Sequence, residues 1–213
     1  MLIAGVGVCV VGLIALLWAE RHSHPMRVVA KPVASLGFLV VTFASGWPVG
    51  AAAAWLAIGL ILSAIGDVVL LGEGKRWFLT GLVAFAFAHI ALLTGFVVRA
   101  GTFGSASGVA LVLATAIALL VARWLMPNVD GEMRVPVQIY MVLITAMVVA
   151  SVAAVTAGAT IRVSVGSVMF WLSDVAVARQ QFVAPAFANK LAGLPLYYGG
   201  VLLLAWTVAA GQI

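Results

Sequence analysis

Charge is what this sequence has least of. Only 8% of its 213 residues are Asp, Glu, Lys or Arg, against 65% hydrophobic. With a mean hydropathy of +1.25, that balance excludes a soluble globular chain and reads as a polytopic membrane protein, residues 1–213 forming a single transmembrane domain. Runs of basic residues are absent too. The eleven Lys and Arg stand singly between apolar stretches, so the net charge of +5 marks topology and excludes a nucleic-acid-binding face. Cysteine is limited to Cys9, which rules out an intramolecular disulfide and a multi-cysteine zinc site and predicts a buried, inert thiol. The N-terminus lacks a basic n-region, and its first apolar run ends in Trp18-Ala19-Glu20-Arg21. A retained first helix is therefore expected in place of a cleaved leader, with no soluble domain flanking the bundle.

What is present is apolar sequence in lengths that cross a bilayer. A span needs about 20 apolar residues, and lipid leaves helices as the form of these segments. Eight spans are predicted, at about 2–19, 28–46, 50–71, 77–98, 105–124, 135–158, 163–180 and 191–210. The fold class is thus all-α, a polytopic transmembrane helix bundle. Spans two and three are parted only by the Gly46-Trp47-Pro48 turn.

Orientation follows from the basic residues of the short loops. Loops one, three, five and seven carry nine: Arg21, Arg27, Lys31, Lys75, Arg76, Arg123, Arg134, Arg179 and Lys190. The even loops carry only Arg99 and Arg162. The reading is an integral protein of a bacterial-type cytoplasmic membrane, with odd loops cytoplasmic and both termini on the non-cytoplasmic side.

Against this background three ionisable residues stand out: Asp67, His89 and Asp174. A charge at the bilayer centre costs roughly 2.5–3.5 kcal/mol on insertion scales, so such residues face a protein interior and are functional candidates. Counted at 1.5 Å per residue, Asp67 lies about 7 Å in from Gly72 and Asp174 about 7 Å in from Arg179. On the same count Lys31 and Gln138 lie about 6 Å deep, Tyr140 about 9 Å and Tyr197 about 10 Å, in one layer. His89, about 20 Å from Arg76, is expected alone near the midplane. Ser63 is one turn above Asp67, and Gly81, Phe85 and His89 share a helix face, as do Gly166, Phe170, Ser173 and Asp174. The glycines on those faces permit close helix approach, and Gly104-x-x-x-Gly108 reads as a further packing site. The Trp and Phe residues read mostly as lipid-facing or interfacial. A duplication is also suggested. Spans two and six each open on a basic residue and a proline, and spans three and seven each carry Asp-Val, with 35 residues from Pro32 to Asp67 and 38 from Pro136 to Asp174. The halves would be parallel four-helix units, unlike the inverted repeats of many carriers.

Two carboxylates at one depth are suited to divide acid and base roles, because burial and mutual repulsion hold a proton on one while a nearby cation keeps the other ionised. Lys31 is the candidate cation, and the aspartates are expected to be a coupled pair. The structural alternative has each bonded to a facing helix. His89 is a general base, a metal ligand or a core histidine. A catalytic zinc calls for three protein ligands, which His89, the two aspartates and the loop residues His22 and His24 offer only from separate segments, so no metal and no cofactor is expected. A carrier using the aspartates as proton or cation sites is the competing function.

The motifs Lys31-Pro32, Gly66-Asp67, Phe78-x-x-Gly81-x-x-x-Phe85-x-x-x-His89, Gly166-x-x-x-Phe170-x-x-Ser173-Asp174 and Tyr197-Tyr198, in this order, resemble the YhhN-like lysoplasmalogenase family across almost the whole chain. The resemblance implies a membrane hydrolase cleaving the vinyl ether bond of lysoplasmalogens to fatty aldehyde and glycerophospho-base, with Asp67 and Asp174 as the catalytic pair. Its partners would be a lysophospholipid substrate and membrane lipid, with Lys31, Ser63, His89, Gln138, Tyr140, Ser173, Tyr197 and Lys190 as substrate-binding candidates. Leu92 and Val201 occupy positions where the family often has Tyr and Gln. The polar shell is thinner here, so fold and chemistry carry over further than head-group preference.

Overall fold

A computed structural model describes residues 1–213 and contains eight α-helices and no strands. They are α1 (Leu2–Arg21), α2 (Arg27–Thr42), α3 (Ala51–Val69), α4 (Lys75–Ala100), α5 (Ser105–Leu125), α6 (Gly131–Thr156), α7 (Arg162–Ala178) and α8 (Phe187–Ala209). Each corresponds to one predicted span. Six are long and apolar enough to cross a membrane, and the protein is an integral membrane protein. The two shorter helices, α2 with 16 residues and α7 with 17, carry Lys31 and Asp174. A π-helical turn, Arg179–Val183, prolongs α7. Gly50 and Gly74, at φ 90° and 93°, make the left-handed corners that open α3 and α4.

Neighbours in sequence pair in space: α1 lies on α2, α3 on α4 and α7 on α8. Helix α8 also touches α1, α2 and α3, and α4 meets α6, so the two halves close around a shared interior. Helix α5 is outermost, with only Ser107, Ala114 and Leu125 buried. Gly104 and Gly108 have no neighbour within 4 Å of where a Cβ would stand. That corrects their reading as a packing motif: the spacing is right, but this face of α5 meets no helix.

The motif glycines do mediate close approach. A Cβ on Gly66 would stand 2.7 Å from the Phe85 ring, and one on Gly166 would stand 2.8 Å from the Gly200 carbonyl. Six of the seven tryptophans are exposed on the bundle surface, as expected of interfacial residues. The phenylalanines divide otherwise. Phe38, Phe85, Phe96 and Phe170 are buried, because Phe85 and Phe170 share helix faces with His89 and Asp174 and turn inward with them.

Candidate functional site

Asp67 is 2% exposed and sits among donors from two other helices. From α2, Ser35 donates its hydroxyl to Oδ2 at 2.6 Å. From α8, Tyr197 donates to the same oxygen at 2.7 Å. The Lys31 ammonium, also from α2, lies 3.4 Å from Oδ1. Behind Ser35, the Tyr198 hydroxyl stands 3.4 Å from its oxygen. A carboxylate with two hydroxyl donors and an ammonium has what a buried charge needs.

Asp174 has different company. Tyr140 of α6 donates to Oδ2 at 2.7 Å, and Nε2 of His89, from α4, lies 3.9 Å from that oxygen. No ammonium or guanidinium is bonded to it, and its side chain is 20% exposed to the central cavity. The connections are reciprocal. Each aspartate takes a hydroxyl from the second helix of its own half, Ser35 or Tyr140, and a partner from the fourth helix of the other half, Tyr197 or His89. His89 follows Asp67 by 22 residues and Tyr197 follows Asp174 by 23, in keeping with the suggested duplication.

Both aspartates line one largely apolar cavity of about 270 Å³ to which all eight helices contribute. Phe85, Phe170 and Tyr197 pack edge to face, with centroids 5.2–6.0 Å apart, and stand between the two clusters. Toward the end of the bundle where loops one, three, five and seven meet, the cavity is polar. There Lys190 pairs with Glu20 at 2.5 Å, and Asn189 is bonded to Gln180 and Arg179. Gln181 and Phe182 of the π turn also line it. Single π turns inside α-helices recur at functional sites, because the extra residue re-aims the side chains that follow.

Of the residues expected at the site, Lys31, Tyr140, Ser173, Tyr197 and Lys190 join the aspartates at this cavity, and His89 lies directly behind Asp174. Ser173 returns its hydroxyl to the Phe170 carbonyl. Two candidates fall outside. Ser63 is buried but bonds the Gly59 carbonyl of its own helix and does not line the cavity. Gln138 is absent from the cavity wall: two residues from Tyr140, it lies about 200° around the helix, so equal depth puts it on the opposite side. His89 is likewise not isolated at the midplane. The π turn carries α7 on to Val183, which places Asp174 about 13 Å from that end instead of 7 Å. Side chains on antiparallel helices each lean toward their own N-terminus, and here that lean brings His89 and Asp174 together. No hydrogen bond joins the two carboxylates; each is organised by its own partners. His22 and His24 stay in the α1–α2 turn against Trp18.

Sequence reasoning missed Ser35, Glu20, Asn189 and the π-turn residues. Ser35 had a signal, since it lies one turn from Lys31 on the same face of α2. Glu20 had a weaker one, as the only acid of α1, beside Arg21 at the end of the helix.

Comparison with known proteins bears on this geometry. A lysoplasmalogenase of Mycobacterium bovis is 31% identical over 186 residues, 84% of this chain and 66% of that protein. Lysoplasmalogenase TMEM86A of Bos taurus is 27% identical over 154 residues, 70% of this chain and 62% of that protein. The human TMEM86A is 29% identical over the same length, with the same coverage. The chain thus spans just under two thirds of the length of these curated relatives. No solved structure matches it. The YhhN family model matches residues 26–208, a stretch that contains Lys31, Ser35, Asp67, His89, Tyr140, Asp174, Tyr197 and Tyr198, and the chain belongs to the YhhN family.

Proposed function

We propose that this protein is a membrane hydrolase that cleaves the vinyl ether bond of lysoplasmalogens, with Asp67 and Asp174 as its acid/base pair and the whole bundle, 1–213, as the working unit. The observation that carries the reading is one apolar cavity opening onto two aspartates whose partners differ. The names of the mycobacterial and bovine relatives support the substrate class.

The chemistry asks for this arrangement. Hydrolysis of a vinyl ether begins with a proton delivered to the β-carbon, leaving an oxocarbenium ion. Water captures that ion as a hemiacetal, which collapses to aldehyde and alcohol. The reaction needs a positioned acid and a carboxylate that stabilises the cation, the division of labour used in glycoside hydrolysis. The cavity suits a single-chain lipid. Its head group would lie at the polar mouth beside Lys190 and Glu20, its ether bond at the aspartates, and its alkenyl chain among Leu82, Val121 and Met141.

Pure full-length protein in detergent is expected to release aldehyde from 1-alkenyl lysophospholipid. A carrier would release no aldehyde, and its transport would disappear without a sealed compartment. Absence of aldehyde overturns the hydrolase reading.

The same reading sets the cavity mouth at the cytoplasmic face of a bacterial-type cytoplasmic membrane, with both termini on the non-cytoplasmic side, on the strength of nine basic residues against two in alternate loops. A periplasm-dependent reporter fused after Ile213 is expected to be active and a cytoplasm-dependent one silent. The reverse pattern removes the topology.

A further inference from the structure

The ring of His89 carries information that its position alone does not. It is fully buried, packed 4.6 Å from the Phe170 ring centroid and 5.2 Å from that of Tyr140. Its Nδ1 lies 2.6 Å from the Phe85 carbonyl oxygen. A carbonyl oxygen only accepts, so Nδ1 bears the hydrogen, and in the neutral ring Nε2 is then a bare lone pair. That nitrogen has no hydrogen-bond partner. It faces Asp174 Oδ2 across 3.9 Å, and Tyr140 already donates to that oxygen. Two acceptors opposed in a buried site are unfavourable, and a proton carried by the Asp174 carboxyl relieves the conflict by removing its charge, the 3.9 Å gap being too wide for a hydrogen bond. Asp67 has no such conflict, since Ser35, Tyr197 and Lys31 all present donors to it.

From this geometry we infer that Asp174 is the acid of the pair and that His89 is its positioning residue, the Nε2 lone pair keeping the proton on the Asp174 carboxyl. The inference rests on the hydrolase reading for its chemistry. Asp174 gives its proton to the β-carbon, where the π electron pair forms the new C–H bond and the ether oxygen becomes part of an oxocarbenium ion. The Asp67 carboxylate, on the same cavity, stabilises that cation. Water adds to the α-carbon and returns a proton to Asp174, giving a neutral hemiacetal. In the collapse, Asp174 protonates the departing glycerol oxygen through one carboxyl oxygen and takes the hemiacetal hydroxyl proton on the other. The carboxylic acid is regenerated, and one water has been consumed for one aldehyde and one alcohol. His89 is off the cavity throughout and does not touch the lipid; its lone pair keeps the proton on the Asp174 carboxyl, which lines the cavity, until the lipid takes it.

Two measurements on the full-length protein in detergent test this. In activity assays with 1-alkenyl lysophospholipid, His89→Phe is expected to lower kcat by about 100-fold while changing KM by less than about threefold. His89→Gln, whose amide oxygen can accept a proton near the Nε2 position, is expected to recover about tenfold of that loss. Nitrogen-15 NMR of the histidine rings, with His89 assigned by its disappearance in His89→Gln, is expected to find Nδ1 protonated. The Nε2 resonance should move in Asp174→Asn and stay in Asp67→Asn. A His89→Phe variant with wild-type kcat, or an Nε2 resonance indifferent to Asp174→Asn, overturns the inference. If wild-type protein releases no aldehyde, the acid role falls with the hydrolase reading, while the NMR arm still decides whether His89 senses the Asp174 carboxyl.

Discussion

Asp67→Asn and Asp174→Asn are each expected to lower aldehyde release at least about 100-fold, the scale of losing positioned acid–base catalysis. The amide keeps the shape of the carboxyl group in both, so the loss isolates charge and proton from packing. In Asp67→Asn the amide retains an oxygen for Ser35 and Tyr197 but leaves the Lys31 ammonium without its counter-ion. Removing one member of a fully buried pair costs about 3–5 kcal/mol. The Lys31 side chain is 12% exposed and lines the cavity, which moderates that cost. In Asp174→Asn the amide keeps the hydroxyl of Tyr140 and gives up no salt bridge to lysine or arginine, yet has no proton to deliver. Asp174→Asn is therefore expected to melt close to wild type and Asp67→Asn below it, with both nearly inactive. Paired thermal melts and aldehyde assays separate the two. Full rate in both variants ends the assignment of these residues to catalysis.

The fold was legible because lipid removes alternatives. Apolar runs of bilayer length must be helices, and eight runs became eight helices, including the shorter α2 and α7 with 16 and 17 residues. The aspartates were legible for the complementary reason, that an acid in such a run is expensive and must face inward. Depth along the helix axis then singled out Tyr140 and Tyr197, which line the cavity, and Gln138, which does not. Depth is one coordinate, and the azimuth around the helix decides which side is met; Gln138 fails on azimuth alone. Ser63 shares the azimuth of Asp67 but lies one turn deeper, and its hydroxyl is satisfied on the carbonyl four residues back. Ser35 does the opposite. It contacts the carbonyl of Lys31 at 3.1 Å but points its hydroxyl at Asp67 at 2.6 Å, a choice set by the neighbouring helix. The π turn had no sequence signal that was read, and without it the approach of His89 to Asp174 was out of reach.

Gly37→Leu is expected to cost more than about 3 kcal/mol and to abolish activity, although Gly37 lies outside both aspartate clusters. Helices α1 and α2 pack through Gly5, Cys9 and Gly12 on one side and Ala34, Gly37 and Val41 on the other. A Cβ on Gly37 would stand 2.3 Å from the Cys9 amide nitrogen and 2.6 Å from its Cα. These are backbone atoms, which no rotamer change can clear. Since carbon contacts rest at about 3.5–4.0 Å, the helices must part by roughly 1 Å even for a methyl group, and further for leucine. The close approaches of Gly12 to Ala34 and Gly5 to Val41 would open with it. Overpacking usually costs about 1–3 kcal/mol, and a clash against a neighbouring backbone belongs at or beyond the upper end. The consequence reaches the site because α2 also carries Lys31 and Ser35, and a shift of that size takes the 2.6 Å bond from Ser35 to Asp67 out of hydrogen-bond range. Gly7→Leu is the control. It lies on the same pair of helices, but its Cβ would meet nothing within 4 Å, so it is expected to change stability by less than about 0.5 kcal/mol and to leave aldehyde release intact. Thermal unfolding in detergent followed by activity on the surviving fold measures both. A Gly37→Leu protein that melts and turns over like Gly7→Leu would mean that α1 is not held against α2 at backbone contact, and that Lys31 and Ser35 are positioned by something other than this interface.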